Sequence, residues 1–303
     1  NETGTWVRKR LIRGSRLVFS PAVMGDDDRI HVAFKRNHNN DLVYGALDGG
    51  AWEEETVESI PGVGSTIVGA PAIQLSPAGA PHILYPTSRE YDEGNDLDEM
   101  KFAARDARGW DIETIADGAA GYAFENLAFD STGRPHVTFS EAVTELAPWE
   151  TVYGWKDDQW NLEMIDGVGW AYSLMIDLDD APIISYQLDD PPIEELFLSY
   201  REFVNYWANE TVLSTEGNLF HAISTIRNDG TIDLLSSVAG DPILPHSAFY
   251  ATNSGGSWAI EPLGIFGGNV GMVVVVENPV NFLVHASGGP PPPPPQIPSE
   301  STI

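Results

Sequence analysis

Apolar and polar residues alternate with a period of two in short runs along most of the chain, as in Trp110-Asp111-Ile112-Glu113-Thr114-Ile115 and Trp160-Asn161-Leu162-Glu163-Met164-Ile165. A period of two is the signature of a strand with one buried face. Six such runs open on a tryptophan, at Trp6, Trp52, Trp110, Trp160, Trp207 and Trp258. Short aromatic strands precede most of them, seen in Val43-Tyr44-Gly45, Lys101-Phe102-Ala103, Val152-Tyr153-Gly154 and Phe249-Tyr250-Ala251.

A second marker has the same count. Arg29-Ile30-His31-Val32-Ala33-Phe34 is echoed by Pro81-His82-Ile83-Leu84-Tyr85 and Arg134-Pro135-His136-Val137-Thr138-Phe139, then more weakly around Ile183, Asp233 and Asn281. These positions lie 47 to 54 residues apart. An apolar strand and a tight turn come before each one, as in Leu127-Ala128-Phe129-Asp130-Ser131-Thr132-Gly133, where Asp and Gly supply the turn dihedrals. Each unit therefore holds four strands, A to D. Six units of this length with a recurring Trp predict an all-β fold, a six-bladed β-propeller of four-stranded antiparallel blades. The Trp6 run reads as strand D of the sixth blade, whose strands A and B fall at 271–276 and 280–285. The N-terminal strand thus closes the ring. Residues 1–287 form the propeller, and 288–303 a Gly/Pro-rich tail whose prolines make a stiff spacer. Residues 299–303 are expected to add a short strand C. The tryptophans read as wedge fillers between sheets, and the repeated histidines as structural.

The turn-and-strand segment Asp130-Ser131-Thr132-Gly133-Arg134-Pro135-His136-Val137-Thr138-Phe139, the Trp-led outer strands and the loop Thr252-Asn253-Ser254-Gly255-Gly256-Ser257-Trp258 resemble the blades of sialidase-like, Asp-box (BNR-type) propellers of secreted bacterial proteins. The best Asp-box copy keeps Gly255 and Trp258 and has Ala251 and Asn253 at its first two positions. The resemblance implies a fold. The family's arginine triad has no recognisable version here and no Arg-Ile-Pro-type segment is present, so the resemblance does not imply sialidase catalysis.

Charge narrows the partners. Forty-five acidic and 16 basic residues give a formal charge of −29, which repels nucleic acid and anionic lipid. No apolar run is long enough to span a bilayer as a helix. There is no cysteine, which excludes disulfides and thiolate chemistry. A chain beginning with Asn fits secretion with signal removal, and the proline tail fits anchoring at a bacterial surface.

Ligands of propellers gather on the face that carries the D-to-A and B-to-C loops. Here the D-to-A segments bring Tyr122, Phe124, Glu125, Trp170, Tyr172, Phe220 and His221, and a B-to-C loop brings Trp149. Rings fringed by carboxylates suit sugars, whose apolar faces stack while their hydroxyls donate to oxygen. The expected function is a secreted or surface-displayed binding module for glycans or a protein partner. The alternative is a glycan-cleaving hydrolase or lyase using carboxylates on the same face. No catalytic residue is assigned and no cofactor is required. Asp92, Asp96 and Asp98 place hard oxygen ligands in one acidic loop, the chemistry calcium takes.

Overall fold

The computed structural model describes residues 22–36, 40–60, 66–67, 70–91, 95–117, 126–142, 149–165, 170–190, 193–215, 218–239, 246–254, 256–266, 269–275 and 281–287. Among these residues every regular element is a strand. The first sheet holds β1 (Ala22–Met24), β2 (Ile30–Arg36), β3 (Asp41–Asp48) and β4 (Ala51–Ser59) in that order. In the second, the inner strand is interrupted: β5 (Thr66–Ile67) and β6 (Ala72–Leu75) both pair with β7 (Pro81–Tyr91), followed by β8 (Asn95–Asp106) and β9 (Gly109–Asp117). The third contains β10 (Asn126–Phe129), β11 (Pro135–Ala142), β12 (Trp149–Lys156) and β13 (Trp160–Ile165). The fourth runs β14 (Trp170–Ile176), β15 (Pro182–Asp190), β16 (Ile193–Phe203), β17 (Tyr206–Thr215), and the fifth β18 (Asn218–Ile226), β19 (Ile232–Ala239), β20 (His246–Thr252), β21 (Ala259–Phe266). A pair, β22 (Asn269–Val275) and β23 (Asn281–Ser287), ends the series.

The described residues thus form five four-stranded blades and a two-stranded sheet, not six complete blades. The pair β22–β23 falls where strands A and B of the sixth blade were expected. Its expected outer strands, around Trp6 and in residues 299–303, lie outside the described residues, as does the tail.

Every blade folds as a meander whose A-to-B turn is the same. The first turn residue donates its N–H to the carbonyl four positions on, and the fourth donates back to the first, as in Ser76/Ala80 and Gly79/Ser76 or Asp130/Arg134 and Gly133/Asp130. The fourth residue adopts the left-handed region: Asp28, Gly79, Gly133, Asp180 and Gly230, with φ from 61° to 84°. This is the three-residue hairpin loop in which glycine, or Asp at some cost, closes the turn. A Cβ at Gly79 would meet nothing within 4 Å, so Gly79→Ala isolates the backbone term. Chemical denaturation should show it about 1 kcal/mol less stable, and an unchanged midpoint would refute the assignment.

First strands of successive blades contact one another in order: β1 with β6, β6 with β10, β10 with β14, β14 with β18, and β18 with β22. They line the axis. The core is divided among the wedges between sheets. Ala33, Leu42 and Tyr44 meet Ile73, Ile83 and Ala103; Phe102 meets Val137 and Phe139; Tyr153 meets Ala171 and Ile184; Leu196 and Leu198 meet Ala222 and Leu234.

The tryptophans fill these wedges. Trp110 lies edge-on to Tyr44 of the preceding blade at 5.5 Å, Trp160 to Phe102 and Trp207 to Tyr153 at 5.2 Å each. Beside each ring runs an ion pair between blades: Arg105 to Glu55 at 2.9 Å, Lys156 to Glu113 at 2.5 Å, Arg201 to Glu163 at 2.9 Å. The cations sit over Tyr44, Phe102 and Tyr153 at 5.9, 5.9 and 5.2 Å, within cation–π reach.

Candidate functional site

Strands B and D run towards the face predicted to bind ligand, so the residues late in those strands and early in strands A and C border it. Tyr122, Phe124, Glu125 and Asp92 lie outside the described residues. The remaining predicted residues sit on strands, not in loops. Trp149 opens β12 opposite Ala142, and Trp170 opens β14 opposite Gln187. Phe220 pairs with Ser237 in β18. Asp96 and Asp98 lie on β8, opposite Glu90 and Ser88, because the β7–β8 hairpin continues well past the end of its own sheet. The acidity of this segment predicts a loop; the structure makes it a hairpin extension. Among the described residues no group of three His, Asp or Glu is arranged to hold a metal ion.

Two predicted residues share an unexpected feature. The register of β14 on β15 skips Tyr172, and that of β18 on β19 skips His221. Each is the extra residue of a bulge in an inner strand, and β14 and β18 are neighbours around the axis. Bulges re-aim a side chain and loosen the local pairing. Tyr172 donates its hydroxyl hydrogen to Gln187 Oε1. In the third blade Asn126 Nδ2 donates to Thr138 Oγ1 at 3.1 Å. Ser173 Oγ lies 2.6 Å from Ser185 Oγ, contacts Ser224 Oγ and accepts the Ser224 N–H. The inner strands therefore carry a run of hydroxyls and amides.

A cavity of about 380 Å³ is bordered by Leu75, Phe129, Leu174, Met175, Ile176 and Ile226, with Gln74, Ser224 and Thr225 as its polar members. It lies by the A-to-B turns, opposite the predicted face.

Near the predicted face, between the first two blades, is a group that the motif reading missed. Lys101 Nζ is 2.7 Å from Glu58 Oε1 and 3.6 Å from Glu99 Oε2, with its side chain nearly buried. The Tyr85 hydroxyl donates to Glu58 Oε2 at 2.8 Å, and Thr87 Oγ1 to Glu99 Oε2 at 3.4 Å. Burial, and then the Glu58 carboxylate, push Tyr85 well above the usual phenol range, so it remains a donor. Glu58 and Glu99 keep about one fifth of their side chains exposed. The signal was available by comparing repeats, because the site of Lys101 is Val43, Val152, Phe197 and Phe249 in the other blades. A buried cation where the fold accepts Val is not required for packing.

Between the third and fourth blades, Tyr186 repeats the Tyr85 position. It is stacked on Phe197 at 5.1 Å, and its buried hydroxyl has no partner among the described residues. Burial, with Glu195 second, pushes it up to about 12.

No family model and no curated protein matches the chain. Solved structures do. A protein of unknown function from Dyadobacter fermentans DSM 18053 aligns over 90% of this chain and 92% of its own, with a TM-score of 0.60 at 14% identity. A polysaccharide lyase of family PL25, an ulvan lyase bound to -[GlcA(1-4)Rha3S]-, aligns over 83% of this chain and 65% of its own, with a TM-score of 0.55 at 11% identity. The GH93 α-L-arabinofuranosidase of Fusarium graminearum, in complex with arabinobiose, aligns over 89% and 93%, with a TM-score of 0.54 at 11% identity. At these identities the likeness shows the fold, a β-propeller. The sialidase-like Asp-box repeat is a finer assignment than this likeness carries.

Proposed function

We propose that this chain is a glycan-acting β-propeller that cleaves a polysaccharide at the face carrying the D-to-A and B-to-C loops. The observation that carries this reading is the Glu58–Lys101–Glu99 group with Tyr85, a charged constellation near that face at a place where the repeat otherwise needs only apolar packing. The likeness to a polysaccharide lyase and an arabinofuranosidase of the same fold supports it. Tyr172 and His221, on adjacent inner-strand bulges, are the proposed sugar contacts, together with Tyr122, Phe124, Glu125, Trp149, Trp170 and Phe220.

Incubation with neutral and uronate-containing polysaccharides tests the reading. A hydrolase gives new reducing ends, and a lyase gives unsaturated uronyl ends that absorb in the ultraviolet. Glu99→Gln is expected to slow release about 100-fold, the range for an acid–base group. Release that survives the substitution unchanged would move the site elsewhere. A binding module for glycans or a protein partner is the second reading. It is favoured by one observation: both carboxylates are already engaged by Lys101, Tyr85 and Thr87. Retention of a glycan without products would select it, and neither retention nor products would exclude glycans.

To this reading belong a ring of six blades over 1–287 closed by the N-terminal strand, Asp-box ancestry of its repeats, a tail at 288–303 that anchors the molecule, and a secreted or surface location. Calcium at Asp92, Asp96 and Asp98 belongs to it too. A chelator should then lower Tm, and an unmoved Tm would remove the ion.

A further inference from the structure

One register position in strand C carries an acid in four of the five complete blades: Asp41, Glu99, Glu150 and Glu195, with Ser247 in the fifth. It lies two residues before the place of Lys101, so acid and lysine share one face of the sheet. In the second blade the acid has a built-in cation. Lys101 Nζ stands between Glu99 and Glu58, and the Tyr85 hydroxyl donates to Glu58.

The next two blades keep the acid and lose the cation. Val152 and Phe197 take the place of Lys101, while Ala116 and Ile165 take that of Glu58 and pack in the apolar wedges of their seams. Polar atoms are left over at both seams. Glu150 Oε2 is buried with no partner among the described residues, and so is the hydroxyl of the fully buried Tyr186. Tyr186 is orphaned because Ile165 stands where Glu58 accepts from Tyr85. Glu195 is near enough for its charge to act on that phenol, and among the described residues no base pairs with Glu150 or Glu195.

An unpaired buried donor or acceptor costs free energy that a matching group from outside recovers. At these seams an ammonium is such a group. The stacked rings of Phe197 and Tyr186, 5.1 Å apart, suit a cation as well. The formal charge of −29 draws cations to the molecule and repels uronates.

We infer that the substrate is a glycan of amino sugars with free amines, whose ammonium groups take, at Glu150 and Glu195, the place that Lys101 fills in the second blade. The inference rests on the function proposed above and names its substrate class. A vicinal amino alcohol fits Glu195 and Tyr186 together, since the ammonium donates to the carboxylate while the neighbouring hydroxyl accepts from the phenol. Acids at like positions on successive blades suit a polymer whose amines repeat.

Calorimetry on the full chain with a β-1,4-linked glucosamine hexamer, its N-acetylated counterpart and hexalysine tests this. The free-amine hexamer should bind at least about tenfold tighter than the acetylated one, and Glu195→Gln should weaken it about tenfold. Tyr186→Phe should weaken it about threefold and leave Tm unchanged or raised, because it deletes an unsatisfied hydroxyl. A lowered Tm with unchanged binding would make Tyr186 structural and overturn its part. Asp158→Asn, at an exposed acid in the turn between β12 and β13 at the opposite end, should change nothing. Equal losses at Asp158 and Glu195 would reduce the preference to diffuse attraction and overturn the site, as would equal binding of the two hexamers. Hexalysine bound as tightly, and weakened by Glu195→Gln, would replace the glycan by a basic peptide. Cleavage of polysaccharides with no preference for amines would overturn this inference and leave the proposed function standing. Neither binding nor products with any glycan would remove both.

Discussion

Glu163→Ala is expected to lower the unfolding free energy by about 3–5 kcal/mol, the range for breaking a buried ion pair. The Glu163 side chain is 3% exposed and that of Arg201 16%. The carboxylate accepts from Arg201 Nε and Nη2 at 3.1 and 2.9 Å, from Trp207 Nε1 at 2.8 Å and from the Asn205 N–H at 3.3 Å. Alanine would leave a cation and two further donors in the wedge between the third and fourth blades. For a chain of this size the loss corresponds to a fall in Tm of about 10 °C. The fold supplies its own control in Glu113, whose pair with Lys156 is 37% and 31% exposed. There Glu113→Ala should cost under about 1 kcal/mol. Replacing the buried pair together, Glu163→Leu with Arg201→Met, should recover most of the loss, because apolar groups of similar volume suit the site. Equal losses at Glu113 and Glu163, or no recovery in the double variant, would show that the wedge does not act as described.

The parts of this architecture that recur were legible in the sequence. The alternating runs, the turns with Asp or Gly in the left-handed position and the wedge tryptophans each state a local requirement that every blade must meet. The glutamate three residues after the strand D tryptophan was equally visible, at Glu55, Glu113 and Glu163, but its role shows only once the base on the facing blade is known. The site was less legible because it is built from departures from the repeat. Lys101 and Tyr85 are plain only against Val43, Val152, Phe34 and Phe139 at the same places. Tyr172 and His221 were assigned to loops because a bulge has no periodicity of its own. It shows only in the pairing of two strands.

Stability is expected to fall in two steps as the pH drops, and one substitution separates them. Asp130 is fully buried in an A-to-B turn, where it accepts from Thr132 N and Oγ1, from Arg134 N and Nε, and from His136. Burial alone would raise its pKa, but the hydrogen bonds from Thr132, Arg134 and His136 outweigh it and hold the carboxyl far below the usual range. Its stabilisation is therefore complete above the unfolded value of about 3.9 and is lost as the pH falls further. Histidine acts earlier. Burial, the largest cause in each case, lowers the pKa of His31, His82 and His136. These rings are neutral in the fold while the unfolded chain takes up protons below about 6.5, so stability begins to decline there. A neutral His136 beside an ionised Asp130 must donate from Nε2, which leaves Nδ1 to accept from the Tyr153 hydroxyl at 2.6 Å. Protonation would put a hydrogen on Nδ1 as well, so that the Tyr153 hydroxyl could no longer donate to it. Asp130→Asn should cost about 3 kcal/mol at pH 7, from the charge-assisted bonds it weakens. Because Asp130 also raises the pKa of His136, its removal leaves the ring harder to protonate and the first step at least as steep. The second step should shrink, so that urea midpoints of wild type and variant converge below pH 4. Curves that stay parallel down to pH 3 would mean that the Asp130 carboxylate is not what the turn relies on.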